Sequence, residues 1–147
     1  MTFNTASAEE TQKIARELLK NIAPSQSGAV ILAMEGDLGA GKTTFIQALG
    51  RALGVKGKVL SPTFVIIKHF NILTFKHFSD FYHFDCYRLE DPKEILALGF
   101  EEIIKDPKNL VAIEWAEKIK KILPKDAIWL KFKHLGEDKR KIRISNI

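Results

Sequence analysis

Apolar positions along the chain follow two periods, and each marks a different element. Residues 7–22 carry Ile14, Leu18 and Ile22 at four-residue intervals, the spacing of one helix face. Ser7 and Glu10 stand at capping-box spacing and set its start. Pro24 and Gly28 bound the segment that breaks it. Residues 29–34 are apolar without interruption, as expected of a strand buried on both faces. A glycine-rich turn leads to a second helix, residues 42–53. Its inner face is Phe45, Ile46, Leu49 and Leu53, and Gly54 ends it. Residues 65–70 and 78–84 read as a hairpin turning across 71–76. Asp91 and Pro92 open a further helix that Gly99 closes. Residues 110–113 form a short apolar strand ending at Glu114, residues 115–123 are helical up to Pro124, and residues 127–133 and 139–144 are two strands around Gly136. The early strand–turn–helix unit predicts an α/β fold, with parallel strands at the centre, helices on both faces and antiparallel pairs at the edges.

Composition narrows the class. At 147 residues and 46% hydrophobic, the chain suits a single domain, residues 1–147, with a real core, which excludes wholesale disorder. No apolar run approaches the length that spans a membrane, so no membrane partner is expected. The first ten residues lack the basic and apolar regions of a secretory signal, and one cysteine excludes an internal disulfide or a Cys-only metal site. The expected location is the cytoplasm. The net charge of +5 is unevenly placed: residues 117–147 hold 10 Lys/Arg against 4 Asp/Glu, and the rest is nearly balanced. This basic segment suits phosphates or an acidic partner, or else a solvated helix face and a charged edge strand.

Gly36-Asp37-Leu38-Gly39-Ala40-Gly41-Lys42-Thr43 fits the phosphate-loop pattern Gly-x-x-x-x-Gly-Lys-Ser/Thr. Glycines let the backbone curl and aim successive N–H groups at phosphate oxygens. The following helix adds the positive end of its dipole. Lys42 can reach the β- and γ-phosphates, and the Thr43 hydroxyl can ligate Mg²⁺. Such a site also needs an acidic residue at the end of a neighbouring strand. Glu114 after the run Leu110-Val111-Ala112-Ile113 and Asp85 after Phe81-Tyr82-His83-Phe84 both qualify. The fold expected is thus a P-loop NTPase-like domain. No guanine-reading Asn-Lys-x-Asp segment and no arginine-rich lid is present, which argues against a GTPase and weakens the case for a small-molecule kinase.

Four ordered segments carry a closer resemblance. Gly36 to Thr44, then Ser61-Pro62-Thr63-Phe64, then Tyr82-His83-Phe84-Asp85-Cys86-Tyr87-Arg88-Leu89, then Ile113-Glu114-Trp115, resemble the TsaE (YjeE) family of bacterial ATPases required for threonylcarbamoyladenosine formation in tRNA. The resemblance covers nearly the whole chain. It implies that Leu38, Gly39, Ala40, Gly41, Lys42, Thr43 and Thr44 hold the nucleotide, with Thr63 sensing its γ-phosphate and Trp115 beside it. It implies Thr43, Glu114 and Asp85 around Mg²⁺, with Lys42, Asp85 and Glu114 serving hydrolysis. It further implies slow ATP turnover, TsaD and TsaB as partners, and tRNA reached indirectly through that complex. A P-loop metabolite kinase, or a nucleotide-dependent switch without turnover, are the alternative readings.

Cys86 stands where the family usually has an apolar residue and reads as a small buried side chain. His69, His77, His83 and His134 show no ligand pair, so no zinc site is expected; His83 reads as packing. Phe75, Phe78 and Phe81 crowd the hairpin, and strand alternation would leave some exposed as a protein contact.

Overall fold

In the computed structural model, residues 1–37, 39–55 and 67–147 are described. The elements in chain order are β1 (Thr2–Thr5), α1 (Ala8–Asn21), β2 (Val30–Gly36), α2 (Lys42–Ala52), β3 (Ile67–Asn71), β4 (Asp80–Asp85), α3 (Lys93–Leu96), α4 (Phe100–Lys105), β5 (Asn109–Glu114), a 3₁₀ helix (Ala116–Ile122), β6 (Ile128–Gly136) and β7 (Lys139–Ser145). Seven strands form one sheet in the order β1-β7-β6-β2-β5-β4-β3. The central pairs β6–β2, β2–β5 and β5–β4 are parallel, and the outer pairs β4–β3, β6–β7 and β7–β1 are antiparallel.

The unbroken apolar run in β2 serves two cores at once. Val30, Leu32 and Met34 face one core with Leu18 and Leu19 of α1 and Phe45, Ile46 and Leu49 of α2. Ala29, Ile31 and Ala33 face the other, with Ile95 of α3, Phe100 of α4 and Ile119 of the 3₁₀ helix. Successive side chains of a strand point to opposite faces, so a strand covered on both sides has no polar positions to alternate with. Ser7 caps α1 as expected: its hydroxyl accepts from the Glu10 amide at 3.2 Å, and Glu10 reaches back to the Ala6 amide at 2.7 Å.

Four expectations change. β1 was not foreseen, because a four-residue edge strand held by backbone pairing to β7 leaves no apolar signature. It also makes β7 an interior strand, so the basic segment is not an edge. Instead Lys131 faces Arg143 and Lys133 faces Lys141 on the exposed side of β6–β7. Gly99 does not end the helix; α3 stops at Leu96 with Ala97 as its cap, and Gly99, at φ 81°, opens α4. Residues 115–123 contain a 3₁₀ helix with a break at Ile119, not a regular helix.

The aromatic hairpin is the fourth correction. Phe81 and Phe78 are buried, and Phe75 packs partly buried against the core under α2. Phe75 stacks on Phe78 with centroids 6.0 Å apart, and Phe70 on Phe81 at 6.1 Å. The loop after β3 folds back onto the sheet, so these rings complete the core and form no exposed aromatic cluster. Replacing Phe78 by Ala should therefore cost about 3–5 kcal/mol of stability. A loss below about 0.5 kcal/mol in urea unfolding would place the ring on the surface instead. The first two residues of the expected hairpin strand, Val65 and Ile66, lie outside the described residues. No helix among the described residues is long and apolar enough to cross a membrane.

Candidate functional site

The site begins where β2 ends. Gly36 has φ 148°, and a Cβ there would sit 2.4 Å from the Phe132 carbonyl oxygen of β6, so no side chain fits. Gly41, at φ 98°, turns the chain into α2, whose first residue is Lys42. Gly41, the cap of this helix, has no side chain to place over its start, so the positive end of the helix faces the loop, where it favours an anion. Leu38 lies outside the described residues, and so does Thr63 with its neighbours Ser61 and Pro62.

Strand order brings the acidic residues to the loop. β5 lies directly beside β2 and β4 beside β5, all parallel, with Asp85 paired in register with Glu114. The carboxyl ends of these strands therefore meet the loop and the start of α2, where ligands of open α/β sheets bind. Glu114 is buried and uses its two oxygens separately. Oε1 accepts from the Thr43 hydroxyl at 3.4 Å, and Oε2 lies 2.8 Å from His83 Nε2. Asp85 Oδ1 accepts from the Tyr87 amide at 3.0 Å.

Lys42 is buried, donates to the Gly36 carbonyl, and holds its ammonium 3.8 Å from the centre of the Trp115 ring. Burial pushes its pKa down, against the pull of Glu114, Glu117, Asp85 and Asp37. Trp115 adopts a left-handed backbone conformation at φ 57°, rare and costly for a large side chain. That turn reverses the chain straight after Glu114 and lays the indole over Lys42, 5.0 Å from the Tyr87 ring. Burial raises the pKa of Asp85 first of all; the Tyr87 amide opposes this, and Glu114 adds to it.

Gly39, Ala40, Gly41, Lys42, Thr43, Thr44, Asp85, Glu114 and Trp115 thus line one cavity of about 290 Å³. Tyr87 and Arg140 line it too, and neither was singled out from the sequence. Tyr87 lies in the segment 82–89, where no local pattern marks it for the site. Arg140 was one cation among ten in the basic segment, and only the sheet order carries it to Gly41, where its side chain would lie 3.7 Å from an added Cβ. Cys86 is fully buried, and burial pushes its thiol up to about 12, which agrees with a packing role.

The donors suit a hard cation. A hydroxyl, Thr43, and a carboxylate, Glu114, lie side by side, with a second carboxylate on the next strand. Among the described residues no group of three or more His, Cys, Asp or Glu forms a metal cage. Mg²⁺ does not need one, since it is commonly held by one or two carboxylates together with substrate phosphates.

The raised pKa of Asp85 has a consequence for stability. At neutral pH the unfolded chain carries an ionised Asp85, and folding partly buries that charge at a cost. The folded pKa lies above the unfolded one, so this cost shrinks as pH falls through the folded pKa and is gone below the unfolded value, near 4. Asp85→Asn should raise Tm at pH 7 and lose that advantage by about pH 3. An unchanged Tm at pH 7 would contradict the assignment.

Comparison with known proteins gives a consistent picture. Residues 5–142 match the family model described as threonylcarbamoyl adenosine biosynthesis protein TsaE. The chain is 38% identical over 133 residues to the tRNA threonylcarbamoyladenosine biosynthesis protein TsaE of Rickettsia felis, covering 90% of this chain and 72% of that one. It is 35% identical over 147 residues to the protein of the same name from Bacillus subtilis, covering 100% and 86%. Among solved structures, the crystal structure of Bacillus subtilis YdiB superimposes with a TM-score of 0.73 at 32% identity, covering 97% of this chain and 82% of that one.

Proposed function

The chain belongs to the TsaE family, P-loop-type proteins of tRNA threonylcarbamoyladenosine biosynthesis, and from that premise we propose that it binds Mg-ATP in the groove described above and hydrolyses it. The observation that carries this reading is the meeting of Lys42 and Thr43, at the uncapped start of α2, with Glu114 and Asp85 at the ends of two adjacent parallel strands.

Each residue has a distinct task in the reading. The amides of 39–44 and the Lys42 ammonium bind the phosphates. Thr43 and Glu114, with Asp85 beside them, hold Mg²⁺, which when bound neutralises charge developing on the phosphates. Asp85, made more basic by burial, is placed to orient the attacking water and accept its proton. Trp115 and Tyr87 wall the groove, and the Thr63 hydroxyl is the candidate sensor of the γ-phosphate. ATP and Mg²⁺ are the cofactors, TsaD and TsaB the partners, and tRNA is engaged indirectly through their complex. The like-charge pairs on β6–β7 suit electrostatic steering toward an acidic surface of that complex.

ATP turnover measured with and without purified TsaB and TsaD tests the reading, with release of inorganic phosphate as the assay. Turnover that rises with the partners supports it. A phosphorylated small molecule in place of free phosphate would reveal a kinase, and nucleotide binding with no turnover under either condition would reveal a switch.

A further inference from the structure

His83 binds no phosphate and faces no water in the groove, yet its placement is specific. The imidazole is fully buried on the face of β4 that also carries Phe81 and Asp85. Its register partner on β5 is Ala112, whose methyl group leaves the ring room to lean toward the next residue on that face, Glu114. The result is the 2.8 Å contact between His83 Nε2 and Glu114 Oε2. As a cation ligand Glu114 would be ionised and could only accept, which makes Nε2 the donor in that state. Nδ1 has no hydrogen-bond partner among the described residues. A side chain kept only for packing would not carry an unmet buried nitrogen, since an apolar residue would fill the space without that cost.

We propose that His83 is a positioning residue, which fixes the Glu114 carboxylate by binding Oε2 so that Oε1 stays aimed at the Thr43 hydroxyl, the two groups that would hold the cation. The contact adds a hold on the last torsion of Glu114, which is intrinsically broad, beside the one that Thr43 supplies. Oxygen ligands held by a neighbouring hydrogen bond are characteristic of metal sites, where loss of the outer partner costs about 10–100-fold in metal affinity. The proposal rests on the Mg-nucleotide reading of the site.

The test replaces Mg²⁺ by Mn²⁺, whose binding to the ADP-loaded protein is followed by electron paramagnetic resonance. Metal-free ADP affinity is measured separately by calorimetry in EDTA. His83→Leu should weaken Mn²⁺ binding about 10–100-fold and leave metal-free ADP affinity within about twofold. His83→Gln, whose amide nitrogen can occupy the Nε2 position, should recover most of the loss, whereas His83→Asn, one bond shorter, should not. A purely structural role would move all three variants together and would not spare ADP affinity. Wild-type Mn²⁺ affinity in His83→Leu overturns the proposal, as does a Gln variant no better than Asn. If His83→Leu fails to fold, the Gln and Asn pair decides alone. If the wild-type protein binds no ADP, the nucleotide reading falls and takes this proposal with it. If it binds ADP and Mn²⁺ and the variants do so equally, only the role of His83 is lost.

Discussion

Lys42→Ala should lower the affinity for Mg-ATP by about 100-fold or more, roughly 3 kcal/mol, while the protein stays folded. The two effects separate because of where the lysine sits. Its ammonium is buried at the loop, and its pKa is lowered because burial outweighs the acidic groups around it. The folded state without nucleotide therefore gains little from the charge, whereas a bound triphosphate would gain a cation held close in a low-dielectric groove. Contacts with the Gly36 carbonyl and the Trp115 ring aim the ammonium across the loop. Calorimetry and thermal unfolding on the same sample check both halves. Near wild-type affinity in the variant would remove Lys42 from the site.

Glu114→Gln should reduce partner-stimulated ATP turnover by about 100-fold or more and leave metal-free nucleotide binding close to normal. The substitution keeps size and shape but removes the negative charge that answers Thr43 on one side and His83 on the other. On the proposed reading the loop amides and Lys42 would still hold phosphate, so the loss would fall on the metal-dependent step. Asp85→Asn should impair turnover as well, with the gain in stability at pH 7 that its raised pKa implies. Normal turnover by both variants in the presence of TsaB and TsaD would mean the active site lies elsewhere.

The fold and the site differ in how openly the chain displays them. The α1 cap at Ser7 and Glu10, the doubly buried run in β2 and the loop from Gly36 to Thr43 are local features, and each was legible because its cause lies within a few residues. β1 was not, since its partner Lys141 lies far along the chain from Asn4 and the pairing is through backbone. Gly99 misled because a glycine in the left-handed region suits the start of a helix as well as the end of one. The hairpin phenylalanines misled because strand alternation does not govern a loop that folds back on the sheet. In the site, Asp85 and Glu114 could be picked from sequence as strand-end acids, but their adjacency depends on β4 and β5 being neighbours. Arg140 and the His83–Glu114 contact depend on long-range register in the same way, and no local pattern encodes either.

The burial of Cys86 turns it into a clock. It follows Asp85 directly, its amide donates to the Glu114 carbonyl at 3.0 Å, and the layer of α3, α4 and the 3₁₀ helix closes over its thiol. It is also the one thiol in the chain. A thiol reagent added to the native protein has a single target, and it reacts only when that layer lifts. The labelling rate thus times the local openings of the strand end that carries Asp85, without any engineered probe.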